Sequence, residues 1–525
     1  METFRRDMTT LHTWAGVICS GLLFAMFWMG TLSVFDQEID RWMIPETRID
    51  APGRVSLDAL RPVLDELSKD SPRLRIRLPK PREPMLQIYY TDANGERAVR
   101  HIDPHSGASI HPTESMAGSG FIFPFHFSFH LRWMRLGYWL VGFLSMAMLV
   151  LIVSGVVIHR KIFAEFFVFR PRKQLRRSTL DFHNLTSVIA LPFHFMLPFT
   201  GLVIFFSIYL PWSVGLAYEG DPEPLFEEMY TTATATPAGS PLEFASLDNA
   251  LQRASERWTA RYGEAVQPDY VELQHWGDAA GLIVVRNIFP SRQVSMNKDV
   301  LIFSAAGQLL KASSAGPVRK AHAWLSGLHF IQFEHWALRW LYFFAGLSGC
   351  AMIASGLLFW IRSRIKRDGT EPAHVRGVRA LTVGSVTGLI AATLVFFIAN
   401  RLLPASAALA DFERSALEVW AFCLAWLGAF VHALWRDKAA WLDQCRAIAG
   451  LCVLAVLLNW TSTGDHLLAT GSRGLWSVFG VDAMLLAGGL VAVWALRRLH
   501  SVNARPRRSA RAIDEPELSA DAALS

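Results

Sequence analysis

Apolar residues in this chain arrive in blocks longer than the about 18 residues that carry a helix across a bilayer, and no other feature limits its fold as strongly. Eight helical spans are expected, at about 12–35, 134–158, 182–209, 337–361, 379–402, 416–436, 442–462 and 476–498. Composition agrees. Of the 525 residues, 52% are hydrophobic and only 18% charged, whereas soluble domains carry roughly 25% charged residues. The formal charge of +6 is too small a surplus for nucleic-acid binding. Five cysteines (Cys19, Cys350, Cys423, Cys445, Cys452) lie in or beside apolar blocks, with no C-x-x-C. That argues against a disulfide scaffold, a zinc site or covalently attached c-type haem.

The basic residues are placed unevenly. The segment joining spans 2 and 3 holds Arg160, Lys161, Arg170, Arg172, Lys173, Arg176 and Arg177, and that joining spans 4 and 5 holds Arg362, Arg364, Lys366, Arg367, Arg376 and Arg379. Arg5 and Arg6 precede span 1, and Arg497, Arg498, Arg505, Arg507, Arg508 and Arg511 follow or end span 8. If every span crosses, all four groups share one side, which the positive-inside rule makes the cytoplasm, with both termini there. The first apolar block lacks a small-residue cleavage site and reads as an uncleaved anchor.

Residues 36–125 and 210–330 then face outward. Each reads as a helix (56–68, 246–262) followed by alternating strands (73–79, 85–91, 97–102; 269–275, 281–286, 299–304), with Asn94-Gly95 as a hairpin turn. The expected fold is a membrane all-α bundle of about eight transmembrane helices with two small α+β modules outside the membrane. The expected division is 1–35 (first span), 36–125 (module 1), 126–209 (spans 2 and 3), 210–330 (module 2), 331–367 (span 4), 368–500 (spans 5–8) and a disordered cytoplasmic tail, 501–525.

The first four spans look duplicated. Leu11-His12 is followed by Gly30, and Phe182-His183 by Gly201, eighteen residues on in both cases. Phe129-His130 precedes a span closing Ser154-Gly155, and Leu328-His329 precedes one closing Ser355-Gly356, with a small insertion between them. Span, module, span thus occurs twice in the same orientation.

Ionisable residues in or bordering a bilayer are costly and usually functional. His12 and His183 sit at the inner ends of spans 1 and 3, while His130 and His329 sit at the outer ends of spans 2 and 4. Facing imidazoles from neighbouring helices can hold haem iron from both sides, and with no thiol motif such a haem is non-covalent and b-type. His126, His159, His194, His322 and His335 compete as ligands. His194 is expected at mid-membrane depth, about 16 Å of helix beyond His183. The alternatives stay open: interfacial histidines also snorkel to water or cap helices, and His194 fits a haem ligand, a substrate contact or a satisfied core residue equally. His374, His432, His466 and His500 read as structural, and His101, His105, His111 and His275 as surface residues of the modules. No dinucleotide loop, P-loop or flavin motif is present, so electrons entering from the cytoplasm need a separate protein or mobile carrier.

The strings Leu11-His12-x-Trp14-x-Gly16, Phe125-His126-x-x-x-His130, Gly137-Tyr138-Trp139-Leu140-Val141-Gly142, Ser154-Gly155-Val156-x-x-His159-x-Lys161-Ile162-Phe163, Asp181-x-His183-Asn184, Leu191-Pro192-Phe193-His194, Leu328-His329-Phe330 and Arg339-Trp340-Leu341-Tyr342 resemble the PepSY-associated transmembrane helix family of iron-regulated membrane proteins. The resemblance covers about residues 1–367 and implies a bacterial inner-membrane protein with two periplasmic PepSY modules. Spans 5–8 are those of the longer, piuB-like members. Some relatives are described as di-haem reductases that release iron from ferric siderophores. Carried over by position, two haem b groups are implied, the outer on His130 and His329 and the inner on His12 and His183, with His126, His159 and His194 as further candidates. One departure, Glu334-His335 where small residues are expected, bears on the start of span 4.

Two functions follow as expectations. The first is a haem protein that carries electrons across the bilayer and reduces a ferric siderophore, received directly or from a periplasmic delivery protein, with a cytoplasmic or quinone electron donor. The second is a non-enzymatic regulator or transport accessory whose outer modules bind a periplasmic partner. His194 also keeps a metal permeation path in view.

Overall fold

The computed structural model describes residues 2–49, 56–159, 175–217, 219, 221, 234–287, 294–296, 299–313, 316–366 and 370–503. Most of the basic segment joining spans 2 and 3, and the tail from 504 onward, lie outside the described residues.

The chain opens with one long helix, α1 (Glu2–Ser33), then a short amphipathic α2 (Asp36–Met43) and α3 (Arg61–Leu67). Strands β1 (Arg73–Arg77), β2 (Leu86–Thr91), β3 (Arg97–Ile102) and β4 (Ser109–Ile110) follow, and a π-helical turn at Ala117–Ile122 leads into α4 (Phe123–Ser128) and α5 (Leu136–Ile158). The second half repeats this plan with α6 (Leu175–Ile189), α7 (Leu191–Ile204), α8 (Leu247–Tyr262), β5 (Tyr270–Gln274), β6 (Leu282–Asn287), β7 (Asp299–Ser304), β8 (Leu309–Ser313), α9 (Pro317–Phe330) and α10 (Trp336–Arg364). The last elements are α11 (Ala373–Val383), a π turn at Gly384–Gly388, α12 (Leu389–Leu402), α13 (Arg414–Arg436), α14 (Ala440–Thr463) and α15 (Trp476–Asn503).

Two features differ from the sequence reading. The two α+β units are not separate: their strands join in one antiparallel sheet of order β4-β3-β2-β1-β5-β6-β7-β8. The first strand of each unit pairs with the other, Leu74 opposite Leu273 and Ile76 opposite Val271. One face of this sheet packs Leu74, Ile76, Ile88, Leu273, Ile283 and Phe303 against α3 and α8, burying them together. α8 is stopped and started by its own sequence, with Ser246 capping its first turn and Gly263 closing it at φ +74°.

The span count is the second difference. Among the described residues, six helical stretches are long and apolar enough to cross a membrane, or seven if a bent pair is one span. The expected span 182–209 is that bent pair, α6 and α7, turned by 62°. Pro192 opens α7 and Pro198 lies inside it, and a proline lacks the N–H that would continue the preceding turn. Depth along a straight helix therefore does not describe His194. The stretch 414–463 passes as one unit, although α13 and α14 within it are parted by a 3-10 turn and Asp437 at φ +48°.

The helices from α11 onward are fastened to the first half by buried polar contacts. Trp42 Nε1 donates to Asp482 at 2.7 Å, Arg48 pairs with Asp465 at 2.7 Å, and Trp28 Nε1 donates to Thr393 at 3.1 Å.

A candidate pair of histidine sites

The duplication brings histidines together across the two halves. At the end of the bundle away from the sheet, His12 of α1 and His183 of α6 face each other with ring centres 6.4 Å apart. At the sheet end, His126 of α4 and His329 of α9 have ring centres 5.9 Å apart. His126, not His130, thus stands opposite His329, which revises the outer pairing read by position. The cause is local. α4 ends in Phe129 at φ +47°, and His130 follows at φ +56°. That left-handed turn lays the His130 ring flat on Phe121, with centres 4.9 Å apart, and its Nε2 donates to the Phe121 carbonyl at 2.9 Å. α9 ends in its own left-handed residue, Ile331 at φ +54°, but one turn later relative to its histidine, so His329 stays within the helix.

All four paired rings are seated alike. His126 Nδ1 donates to the Met26 carbonyl at 2.8 Å, His183 Nδ1 to that of Met352 at 2.8 Å, and His12 Nδ1 to that of Leu151 at 3.0 Å. His329 reaches the Leu197 backbone, and its Nδ1 lies 3.0 Å from Thr200 Oγ1. Met26, Leu151, Leu197 and Met352 each stand four residues before a glycine: Gly30, Gly155, Gly201 and Gly356. A Cβ there would meet the ring, at 2.6 Å from His126, 3.2 Å from His12, 3.1 Å from His329 and 3.0 Å from His183. The sequence showed these glycines as landmarks of the repeat; their task is to let an imidazole lie against a helix backbone.

A carbonyl can only accept, so Nδ1 carries the proton and Nε2 keeps its lone pair. Two imidazoles that would share one metal through their Nε2 atoms would have ring centres about 6 Å apart, from about 2 Å per metal–nitrogen bond and about 1 Å from nitrogen to ring centre. Both pairs have that spacing. Burial lowers the pKa of His126 and His329, the latter to about 3 with the neighbouring His126 adding to the effect, so both rings are neutral. Among the described residues no cluster of three His, Cys, Asp or Glu side chains could hold a bare metal ion. A metal held by either pair, His12 with His183 or His126 with His329, would therefore have to bring its other ligands with it. A cavity of about 90 Å³ lies against the outer pair, lined by His126, His329, Gly30, Gly201, Val34 and Tyr342 among others.

The remaining candidates lie elsewhere. His194 is 1% exposed, donates from Nε2 to the Ala345 carbonyl at 3.2 Å and meets Phe27 edge-on. Main chain thus holds one of its two ring nitrogens, while Nδ1 is buried without a hydrogen-bond partner among the described residues. His159 caps α5, its backbone N–H bonded to Gly155.

Sequence reasoning missed the buried charges above the outer pair. Arg339 of α10 and Arg82 of the β1–β2 loop both reach Glu38 of α2 at 2.8 Å, and Arg82 also meets Asp36 at 3.2 Å. Both guanidiniums donate to the carbonyl of Val34, a residue lining the cavity. Burial alone would raise the Glu38 carboxyl, but Arg82 and Arg339 hold it at about 2. Burial and the nearby Asp36 charge push Asp40 up to about 7. The one available signal was the acidic run Asp36-Gln37-Glu38 directly after an apolar span. A larger polar cleft, about 450 Å³, opens on the sheet among Lys69, Asp70, His275, Trp276 and Asp278.

These features define a multi-pass helical membrane protein with an extramembrane sheet and two histidine pairs on a duplicated frame. The family profile described as the PepSY-associated TM region matches residues 9–363, and the chain belongs to that family. It is also similar to an uncharacterized protein of Pseudomonas aeruginosa, with 26% identity over 388 residues that cover 70% of this chain and 93% of the relative.

Proposed function

We propose that this chain binds two b-type haems, an inner one on His12 and His183 and an outer one on His126 and His329, and carries electrons across a bacterial inner membrane to a ferric siderophore in the periplasm. The observation that carries the reading is the like seating of the four histidines: Nδ1 held by a neighbouring helix (main chain for His12, His126 and His183, the Thr200 hydroxyl for His329), Nε2 left with its lone pair, and ring centres about 6 Å apart in both pairs. The donor set suits haem because the macrocycle brings four in-plane nitrogens of its own and asks the protein only for axial ligands. Bound haem supplies one-electron redox chemistry. The protein fixes ligand tautomer and orientation through the carbonyls behind each ring. Siderophores hold Fe(III) by hard oxygen donors, and Fe(II) is held less firmly. The basic ends of the spans support cytoplasmic termini and a periplasmic sheet.

The test is the optical spectrum of the purified protein before and after dithionite. The expected result is a low-spin b-type spectrum that sharpens on reduction, with two haems per chain. Colourless protein from haem-replete cells overturns the proposal. A second reading, a non-enzymatic protein whose sheet binds a periplasmic partner, is favoured by the polar cleft on the sheet. Because β1 and β5 pair, it must be tested with the full chain: partner binding undisturbed by loss of the four histidines supports it.

A further inference from the structure

The duplication places a second matched pair beside the inner histidines. Arg5 stands seven residues before His12 and Arg176 seven before His183. Seven residues are two helical turns, so each arginine shares a face with its histidine. Their contacts match as well. Arg5 Nη2 donates to the carbonyl of Ile158 at 2.6 Å, and the Arg176 guanidinium lies 6.0 Å from the ring centre of Phe359. Ile158 and Phe359 are each three residues past the glycine that seats a histidine, Gly155 and Gly356. Measured along α5 and α10, both arginines therefore meet those helices about 4.5 Å beyond the seats of the inner imidazoles, on the side away from the sheet.

Asp181, the acid nearest Arg176, pairs with Arg177 at 3.1 Å, and Thr10 occupies its place in the first half. Asp7, the acid nearest Arg5, is exposed. Arg5 Nε is buried without a hydrogen-bond partner among the described residues, an unmet donor beside the site. Arg176 is exposed and can turn toward a ligand. The general rule that basic residues gather at inner span ends accounts for their sign, but not for a shared seven-residue offset or for matched contacts on the facing helices.

From this we infer that Arg5 and Arg176 form one anion site at the mouth of the inner histidine pair, built for two carboxylates on the rim of a planar ligand held by His12 and His183. The inference rests on the haem reading, whose macrocycle carries two propionates. It names the residues that orient it: the arginines select the carboxylate edge and turn it away from the sheet. A guanidinium meets a carboxylate by paired, charge-assisted hydrogen bonds. The same chemistry would accept a lipid phosphate, so the test must separate the two sources.

The experiment uses full-length protein stripped of haem, in nanodiscs of zwitterionic phosphatidylcholine, titrated with hemin and with hemin dimethyl ester, which lacks the charges. Wild-type protein should bind hemin at the inner site at least about tenfold more tightly than the ester, a difference of about 1.4 kcal/mol. R5Q/R176Q should bind both equally while keeping its bis-histidine spectrum, and R5K/R176K should recover part of the preference. The midpoint potential of one haem, and not the other, should shift in R5Q/R176Q. Equal binding by wild type, or a preference that survives in R5Q/R176Q, overturns the anion site and leaves the haem reading standing. A preference seen only when anionic lipid is omitted and abolished by adding it assigns the arginines to headgroups and also overturns it. Failure of wild type to bind either compound removes both proposals.

Discussion

His126 and His329 face each other from opposite halves of the chain, with ring centres 5.9 Å apart and planes inclined by 31°. Neither residue is the sequence neighbour of the other, and each is held by the helix of its own half, His126 by α1 and His329 by α7. His130, four residues beyond His126, is held by Phe121 instead. Replacing His126 or His329 with alanine should therefore remove one of two haems, halving the haem-to-protein ratio by pyridine haemochrome assay. His130→Ala should leave the ratio near its starting value. A haem lost from the His130 variant but kept by the His126 variant would refute the pairing.

The glycines behind the rings make a graded prediction. An added methyl at Gly30 would come within 2.6 Å of the His126 ring, whereas at Gly155, Gly201 and Gly356 it would come within 3.0 to 3.2 Å. Gly30→Ala should thus displace its histidine most, and the other three by tenths of an ångström. The control is Gly384→Ala, whose methyl would strike Phe430 at 2.2 Å rather than a paired ring. Electron paramagnetic resonance reports ligand geometry. Gly30→Ala should change the low-spin signal of one haem, and Gly384→Ala should lower stability with the signal unmoved. Equal spectral change in both would reduce the glycines to ordinary packing.

How much of this could be read from the sequence depends on the range of the interaction. The strands of the sheet were legible because alternation is local: Leu74 and Ile76 point one way, Arg73, Arg75 and Arg77 the other. That the two units share a sheet was not, since the β1–β5 pairing joins residues about 200 positions apart and leaves no periodic trace. The pairs were half legible. Repeat spacing brought out His12, His183 and His329, but the choice between His126 and His130 turned on a left-handed residue at Phe129, a backbone state that a phenylalanine does not advertise. Arg339 was legible only as part of a string and not as a partner of Glu38.

That ion cluster can be tested by a cycle. Arg339 is 1% exposed and Glu38 is 4% exposed, so removing one partner leaves buried charge unbalanced. Breaking such a pair costs about 3–5 kcal/mol, while replacing both partners costs much less. Because Arg82 also holds Glu38, Arg339→Met should sit at the low end of that range. Its apparent Tm in detergent should fall well below wild type, and E38Q/R339M should recover a substantial part of the loss. Additive losses in the double variant would show that the two side chains do not act as a pair.

Asp40 gives the pH dependence its sign. Its carboxyl accepts the backbone N–H groups of Gly118 and Ser119 at 2.7 and 2.9 Å, tying α2 to the π turn that leads into α4 and His126. With a value of about 7 against an ordinary carboxyl near 4, the folded protein holds this proton more tightly than the unfolded chain does. Stability from Asp40 is therefore fullest below about pH 4, is lost as pH rises through 7, and is level above that. His126 and His329, shifted downward by burial, act in the opposite sense and lose stability as pH falls below about 6.5. The contribution of Asp40 is isolated by difference. Asp40→Asn keeps an oxygen for both N–H groups and removes the charge, so its Tm should exceed that of wild type at pH 8 and converge with it toward pH 4. A difference that stays constant across that interval would mean that Asp40 titrates as an ordinary carboxylate and that its charge places no strain on the segment carrying His126.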